Sequence, residues 1–135
     1  MTGHEQTALR DIGAITLFVE DLPAARAFYA DVLRLGCVFE DDNSAVFDLG
    51  NTVINLLDAR EAPGLIAPAR VAGPAQGARC QLTVWVEDAD AICAGLRARG
   101  VSLLNGPQDR PWGQRTAAFA DPAGHVWEVA QHLPR

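Results

Sequence analysis

A single carboxylate, Glu128, stands in the apolar run HVWEVA near the C-terminus. Buried without a partner it would be strongly destabilising, so it must face water, a ligand or another polar group. The run reads as the second strand of a hairpin. Its turn, Asp121-Pro122-Ala123-Gly124, has type I composition with Pro in second position. Side chains alternate across a strand, so Val126, Glu128 and Ala130 share one face and Trp127 and Val129 the other. The same alternation in QLTVWV sets Gln81, Thr83 and Trp85 opposite Leu82, Val84 and Val86. In AITLFV it groups Ala14, Thr16 and Phe18, and in TVINLL it groups Val53, Asn55 and Leu57. A two-residue turn at Gly50-Asn51 pairs Asp48 with Val53 and adds Asp48, with Val46, to this face. Two acids, a few amides and hydroxyls, and aromatic walls suit an organic molecule held by stacking and hydrogen bonds, with a cation or a hydroxyl-rich group welcome. No nucleophile stands beside a base, so covalent catalysis has no machinery here. Glu128 is the one candidate catalytic residue, as a general base if the chain is an enzyme.

The elements that place these residues repeat within the chain. ITLFVEDLPAARAFYADVLRLG begins at Ile15 and LTVWVEDADAICAGLRARG begins at Leu82. Each reads strand, V-E-D, helix, Gly. Asp21 and Asp88 are candidate N-caps, Pro23 suits a first turn, and Gly36 and Gly100 suit C-terminal caps. Ala25, Phe28, Tyr29, Val32 and Leu33, and then Ala89, Ile92, Cys93 and Leu96, follow helical spacing. Three strand-like runs succeed each helix: CVFEDD, SAVFDLG and TVINLLDA, then VSLLNG, RTAAFA and HVWEVAQH. The pattern predicts an α+β fold of two βαβββ modules in one domain spanning 1–135. The first module covers 11–59 and the second 80–132. A Pro/Gly/Ala-rich linker or surface arm fills 60–79. The first ten residues are expected to fray.

Composition narrows the function classes. The chain has net charge −6 and all its basic residues are Arg, which argues against nucleic acid or an anionic membrane as partner. No apolar run approaches the roughly 20 residues of a membrane span, and no signal peptide pattern is present, so a cytoplasmic location is expected. Cys37, Cys80 and Cys93 lack metal or redox spacing and read as small buried thiols of a reducing compartment.

The V-E-D strand–helix junctions and the closing PWGQRTAAFADPAGHVWEV resemble the vicinal oxygen chelate superfamily, which includes glyoxalase I, extradiol dioxygenases and bleomycin resistance proteins. The resemblance covers roughly residues 11–132. It implies a cupped, incomplete β-barrel with helices on its convex face, and a homodimer with clefts at or near the interface. In metal-dependent members four inward residues hold a divalent ion such as Zn, Ni, Fe or Mn. Those positions fall here on Ala14, Asn55, Gln81 and Glu128. Ala14 has no donor atom and Asn55 is a weak one, leaving Gln81 and Glu128 too few for a hard divalent ion. Asp48 is an unorthodox substitute.

The resulting expectation is a metal-independent small-molecule binding protein without cofactor, of the bleomycin resistance type. It would sequester an antibiotic or an aromatic or cationic metabolite through Phe18, Asp48, Asn55, Gln81, Thr83, Trp85, Trp112 and Glu128. The alternative is a metal-dependent lyase, isomerase or dioxygenase using Gln81, Glu128 and a third ligand. Trp112, in the loop DRPWGQR, is placed at the cleft mouth by the resemblance, with Arg110 and Arg115 as rim charges. Trp127 is assigned to the core. His4, His125 and His132 are read as exposed or terminal.

Overall fold

The computed structural model describes residues 8–134. His4 and most of the stretch expected to fray lie outside the described residues. The first module runs β1 (Ile15–Val19), α1 (Leu22–Ala27), β2 (Cys37–Glu40), β3 (Ser44–Asp48) and β4 (Val53–Asp58). After α2 (Pro63–Ile66) the second module repeats the order: β5 (Gln81–Trp85), α3 (Ala89–Ala98), β6 (Asn105–Arg110), β7 (Gln114–Ala120) and β8 (Val126–His132). The sheets are ordered β1-β4-β3-β2 and β5-β8-β7-β6. They are two open sheets, not closed into a barrel. In each, the first and last strands are parallel and the rest antiparallel. Parallel neighbours need a long crossover, which the helix and its two following strands provide.

The alternation read from the sequence holds. Leu17 and Val19 of β1 are buried, as are Ile54 and Leu56 of β4, Phe119 of β7, and Trp127 and Val129 of β8. With Tyr29, Cys93 and Leu96 from the helical segments they form one core cluster shared by both modules. Each large apolar side chain in it contributes about 1.5–3 kcal/mol by leaving water. Since both sheets turn their helix-facing sides to this core, their other faces are turned outward. Those outward faces carry the candidate binding residues.

Both helices start as expected. Asp21 Oδ1 accepts from the Ala24 N–H at 3.1 Å and Asp88 Oδ1 from Ala91 at 3.0 Å, caps worth about 1 kcal/mol each. The first helix ends differently. It widens into a π-helical turn, Phe28–Val32, and Arg34 rather than Gly36 takes the left-handed backbone, φ 60°. The wider turn carries Tyr29 into the core, where it is fully buried. On α3, Ala89, Cys93 and Leu96 are buried but Ile92 is 40% exposed.

The strand expected at VSLLNG is displaced. Val101 and Leu103 pack against the core as irregular chain, and the ladder begins only at Asn105. At Gly106, φ 80°, a Cβ would lie 2.3 Å from the Thr116 carbonyl oxygen, so only glycine fits this approach. Pro107 is tolerated because β6 is an edge strand. The arm at 60–79 contains α2 and short 3₁₀ turns at Ala59–Glu61 and Pro74–Gln76. Only Cys93 of the three thiols is buried; Cys37 and Cys80 are exposed, so burial does not explain them.

Candidate functional site

On the outward face of the second sheet, Gln81, Thr83 and Trp85 stand exposed, while Leu82 and Val84 point toward the core. Parallel pairing sets Thr83 beside Glu128 and Trp85 beside Ala130. Thr83 Oγ1 donates to Glu128 Oε1 at 2.8 Å. The half-buried Glu128 thus sits on a face open to water, with one oxygen held by a neighbour. Small residues, Ala118 and Ala130, lie beside it and are buried. Thr116 on the same face accepts from Arg110 Nε at 2.8 Å.

His132, read from the sequence as exposed or terminal, is the last residue of β8 and exposed. Its ring stacks on Trp85 with centroids 4.4 Å apart and planes inclined by 25°. The parity of Glu128, Ala130 and His132 along HVWEVAQH is the signal that would have placed it on this face. Trp85 nevertheless remains 61% exposed. An exposed indole backed by a second ring, beside a carboxylate, can stack a planar group and attract positive charge.

The first sheet carries a parallel but weaker arrangement. Asn55 Nδ2 donates to Thr16 Oγ1 at 3.3 Å across the β1–β4 pair. Asp48 pairs with Val53 as expected. Its Oδ1 accepts from the Gly50 N–H at 2.8 Å, so it caps its own hairpin turn. Phe18 is half-buried and lines a separate cavity under the inter-module arm. Trp112 lies in the β6–β7 turn, 63% exposed, with the Arg110 guanidinium 5.6 Å from its ring centroid and its Nε1 donating to Gln114 at 3.2 Å. Arg115 bridges Asp109 and Asp90. The structure brings Gln81, Thr83, Trp85, Glu128 and His132 onto one sheet. Asn55, Asp48 and Phe18 belong to the other.

The four superfamily metal positions are divided between the modules: Ala14, one residue before β1, and Asn55 of β4 belong to the first, Gln81 and Glu128 to the second. Ala14 offers no donor; Asn55 Nδ2 is bonded to Thr16 and its Oδ1, buried without a partner, is a neutral amide oxygen; Glu128 Oε1 is bonded to Thr83. Among the described residues no group of three His, Cys, Asp or Glu could hold a metal ion. This donor set does not fit a divalent ion.

His125 is neither exposed nor free. Its Nδ1 lies 3.0 Å from Asp121 Oδ2, and its backbone N–H donates to Asp121 Oδ1 at 2.8 Å. Tyr29 OH donates to Asp121 Oδ2 at 2.7 Å and accepts from Trp127 Nε1 at 3.0 Å. Burial raises the Asp121 carboxyl, but the hydrogen bonds from His125 and Tyr29 outweigh it and hold the group below the usual carboxylate range. Nδ1 of His125 therefore carries the proton of their contact. Burial first, then the Asp121 charge, pushes the Tyr29 phenol well above its ordinary value. This network joins the two modules and lies beneath the candidate face.

Among the described residues no helix is long and apolar enough to cross a membrane. No curated protein matches the chain. Solved structures do. A glyoxalase/bleomycin resistance protein/dioxygenase from Nocardioides is 26% identical, with TM-score 0.84 over 95% of this chain and 87% of that one. Lactoylglutathione lyase from Agrobacterium tumefaciens is 26% identical, TM-score 0.73, covering 89% and 92%. TnmS3, an antibiotic binding protein from Streptomyces sp. CB03234, is 26% identical, TM-score 0.73, covering 94% and 99%. The family model for the Glyoxalase/Bleomycin resistance protein/Dioxygenase superfamily matches residues 11–129, and the chain belongs to that superfamily.

Proposed function

We propose that the protein is a metal-independent binding protein for a small planar organic molecule, cationic by preference, acting by sequestration and not by catalysis. The observation that carries this reading is the Trp85–His132 stack beside Glu128: an open aromatic platform with a carboxylate at its edge. The deficient donor set at the superfamily's metal positions supports it, as does the likeness to an antibiotic binding protein. The outward faces of both sheets carry exposed aromatic and polar groups, which favours a homodimer in which a second copy covers them and completes each cleft.

The test uses purified protein, metal analysis and calorimetric titration. N-methylquinolinium, a planar cation, should bind more tightly than neutral quinoline at pH 8. Trp85→Ala should abolish most of the affinity for both. Stoichiometric transition metal in the purified protein overturns the metal-independent reading. Equal affinity of parent and Trp85→Ala removes the site from this face.

A further inference from the structure

A cavity of about 240 Å³ lies between the outward face of β1, the inter-module arm and the β7–β8 turn. Phe18, Val71 and Pro74 give it apolar walls, and Arg70, Arg79 and Glu20 also line it. Pro74 abuts the turn: a Cβ placed on Gly124 would be 3.8 Å from the Pro74 Cβ. The arm at this point is thus seated on the second module and forms one wall of a cavity open to solvent.

The two arginines need an explanation. Arg26, Arg60 and Arg115 each find a carboxylate within the chain, as an excess of acids makes easy. The side chains of Arg10, Arg34, Arg70, Arg79 and Arg97 have no ion-pair or hydrogen-bond partner among the described residues, and of these only Arg70 and Arg79 line this cavity, side by side with its apolar walls. Two guanidinium groups against the single Glu20 carboxylate leave one positive charge uncompensated, in a chain of net charge −6. A planar guanidinium fork matches a carboxylate in shape and charge. The volume lies below the range of drug-sized sites, which restricts the occupant to a small molecule.

We propose that this cavity binds a small monocarboxylate whose apolar body packs against Phe18 and Val71 and whose carboxylate is held by Arg70 and Arg79. It is a second site, separate from the Trp85 platform: Trp85, Glu128 and His132 do not line it. A dianion would exceed the single positive charge available, and an inorganic anion would leave the apolar walls unused.

Benzoate is the probe, titrated by calorimetry against the full chain, with benzamide as its neutral counterpart. Benzoate should bind in the millimolar range or tighter, and benzamide at least about tenfold more weakly. Arg70 and Arg79 are exposed, so Arg70→Gln with Arg79→Gln should fold normally, with unchanged thermal unfolding, and lose about tenfold or more in benzoate affinity. Trp85→Ala should bind benzoate like the parent, while the double arginine variant should keep its affinity for N-methylquinolinium. These two crossed controls separate failure of this site from failure of the platform. The proposal is overturned if benzoate shows no saturable binding, if benzamide matches it, if inorganic phosphate displaces benzoate at equal concentration, or if the arginine substitutions change nothing.

Discussion

Tyr29 and Asp121, 92 residues apart, share a buried hydrogen bond of 2.7 Å that ties the helical layer of the first module to the last hairpin turn of the second. Tyr29 both donates to Asp121 and accepts from Trp127. Tyr29→Phe leaves the Trp127 N–H without its acceptor and Asp121 without one donor. The expected cost is about 1–3 kcal/mol of folding stability, read from urea unfolding. An unchanged midpoint would mean that the modules are not coupled through this bond.

The same pair sets the pH limits of the fold. Asp121 is held below the ordinary carboxylate range, so its stabilisation is complete above about pH 4 and is lost as pH falls through the lowered value. Asp58, held down to about 2 by hydrogen bonds from Arg60, acts in the same direction. Tyr29 is shifted upward, so its contribution is complete below about pH 10 and is lost as pH rises beyond that. Thermal melts across pH should fall at both ends. Asp121→Asn should flatten the acid limb while retaining the share due to Asp58, and Tyr29→Phe should flatten the alkaline one.

Three residues of the second sheet should divide the work of recognition. Trp85→Ala should weaken N-methylquinolinium by more than about tenfold, because lost stacking and buried area together exceed about 1.4 kcal/mol. Glu128→Gln keeps the shape and removes the charge, so it should weaken the cation and leave quinoline nearly unchanged. His132→Ala removes the ring behind the indole and should weaken both severalfold. Calorimetry on the three variants checks the assignment, and a Glu128→Gln effect equal for both probes would remove charge from it.

Restoring the superfamily's missing donors tests register and assembly together. Ala14→His with Asn55→Glu would place His and Glu in the first module, to be completed by Gln81 and Glu128 of the second. Nickel or zinc uptake by this variant, absent in the parent, is expected, with light scattering as the accompanying test for a dimer. No gain in metal affinity would count against the register or the pairing of faces.

Gly106→Ala should be strongly destabilising. The residue has φ 80°, and the new Cβ would meet the Thr116 carbonyl oxygen at 2.3 Å. Strain and displacement of β6 should cost at least about 2 kcal/mol, visible as a lowered Tm. A neutral outcome would show that the edge strand can move away from β7.

The modules, the β1–β4 and β5–β8 faces and both N-caps were legible because each rests on a local rule: alternation along strands such as QLTVWV, or a short acid before a helix. The Asp48–Val53 pairing followed from the turn residues alone. What escaped depended on contacts between distant segments. His125, at the start of the last strand, was read as exposed because its partner Asp121 is fixed by Tyr29 from the other module. His132 was left out of the candidate set because a strand's last residue gains its place only by pairing, here with Gln114. The displaced sixth strand depended on backbone approach at Gly106, which periodicity does not report. Phe18 had the right parity, but the arm that shapes its surroundings carries no periodic pattern.

The duplicated halves place a threonine at the same register position, Thr16 beside Asn55 and Thr83 beside Glu128. One partner is neutral and the other anionic. A scaffold built twice from one plan has in this way acquired a head and a tail. A ligand spanning both kinds of face, positively charged at one end only, would have one favourable direction in which to lie, although the folds at its two ends would be nearly copies of each other.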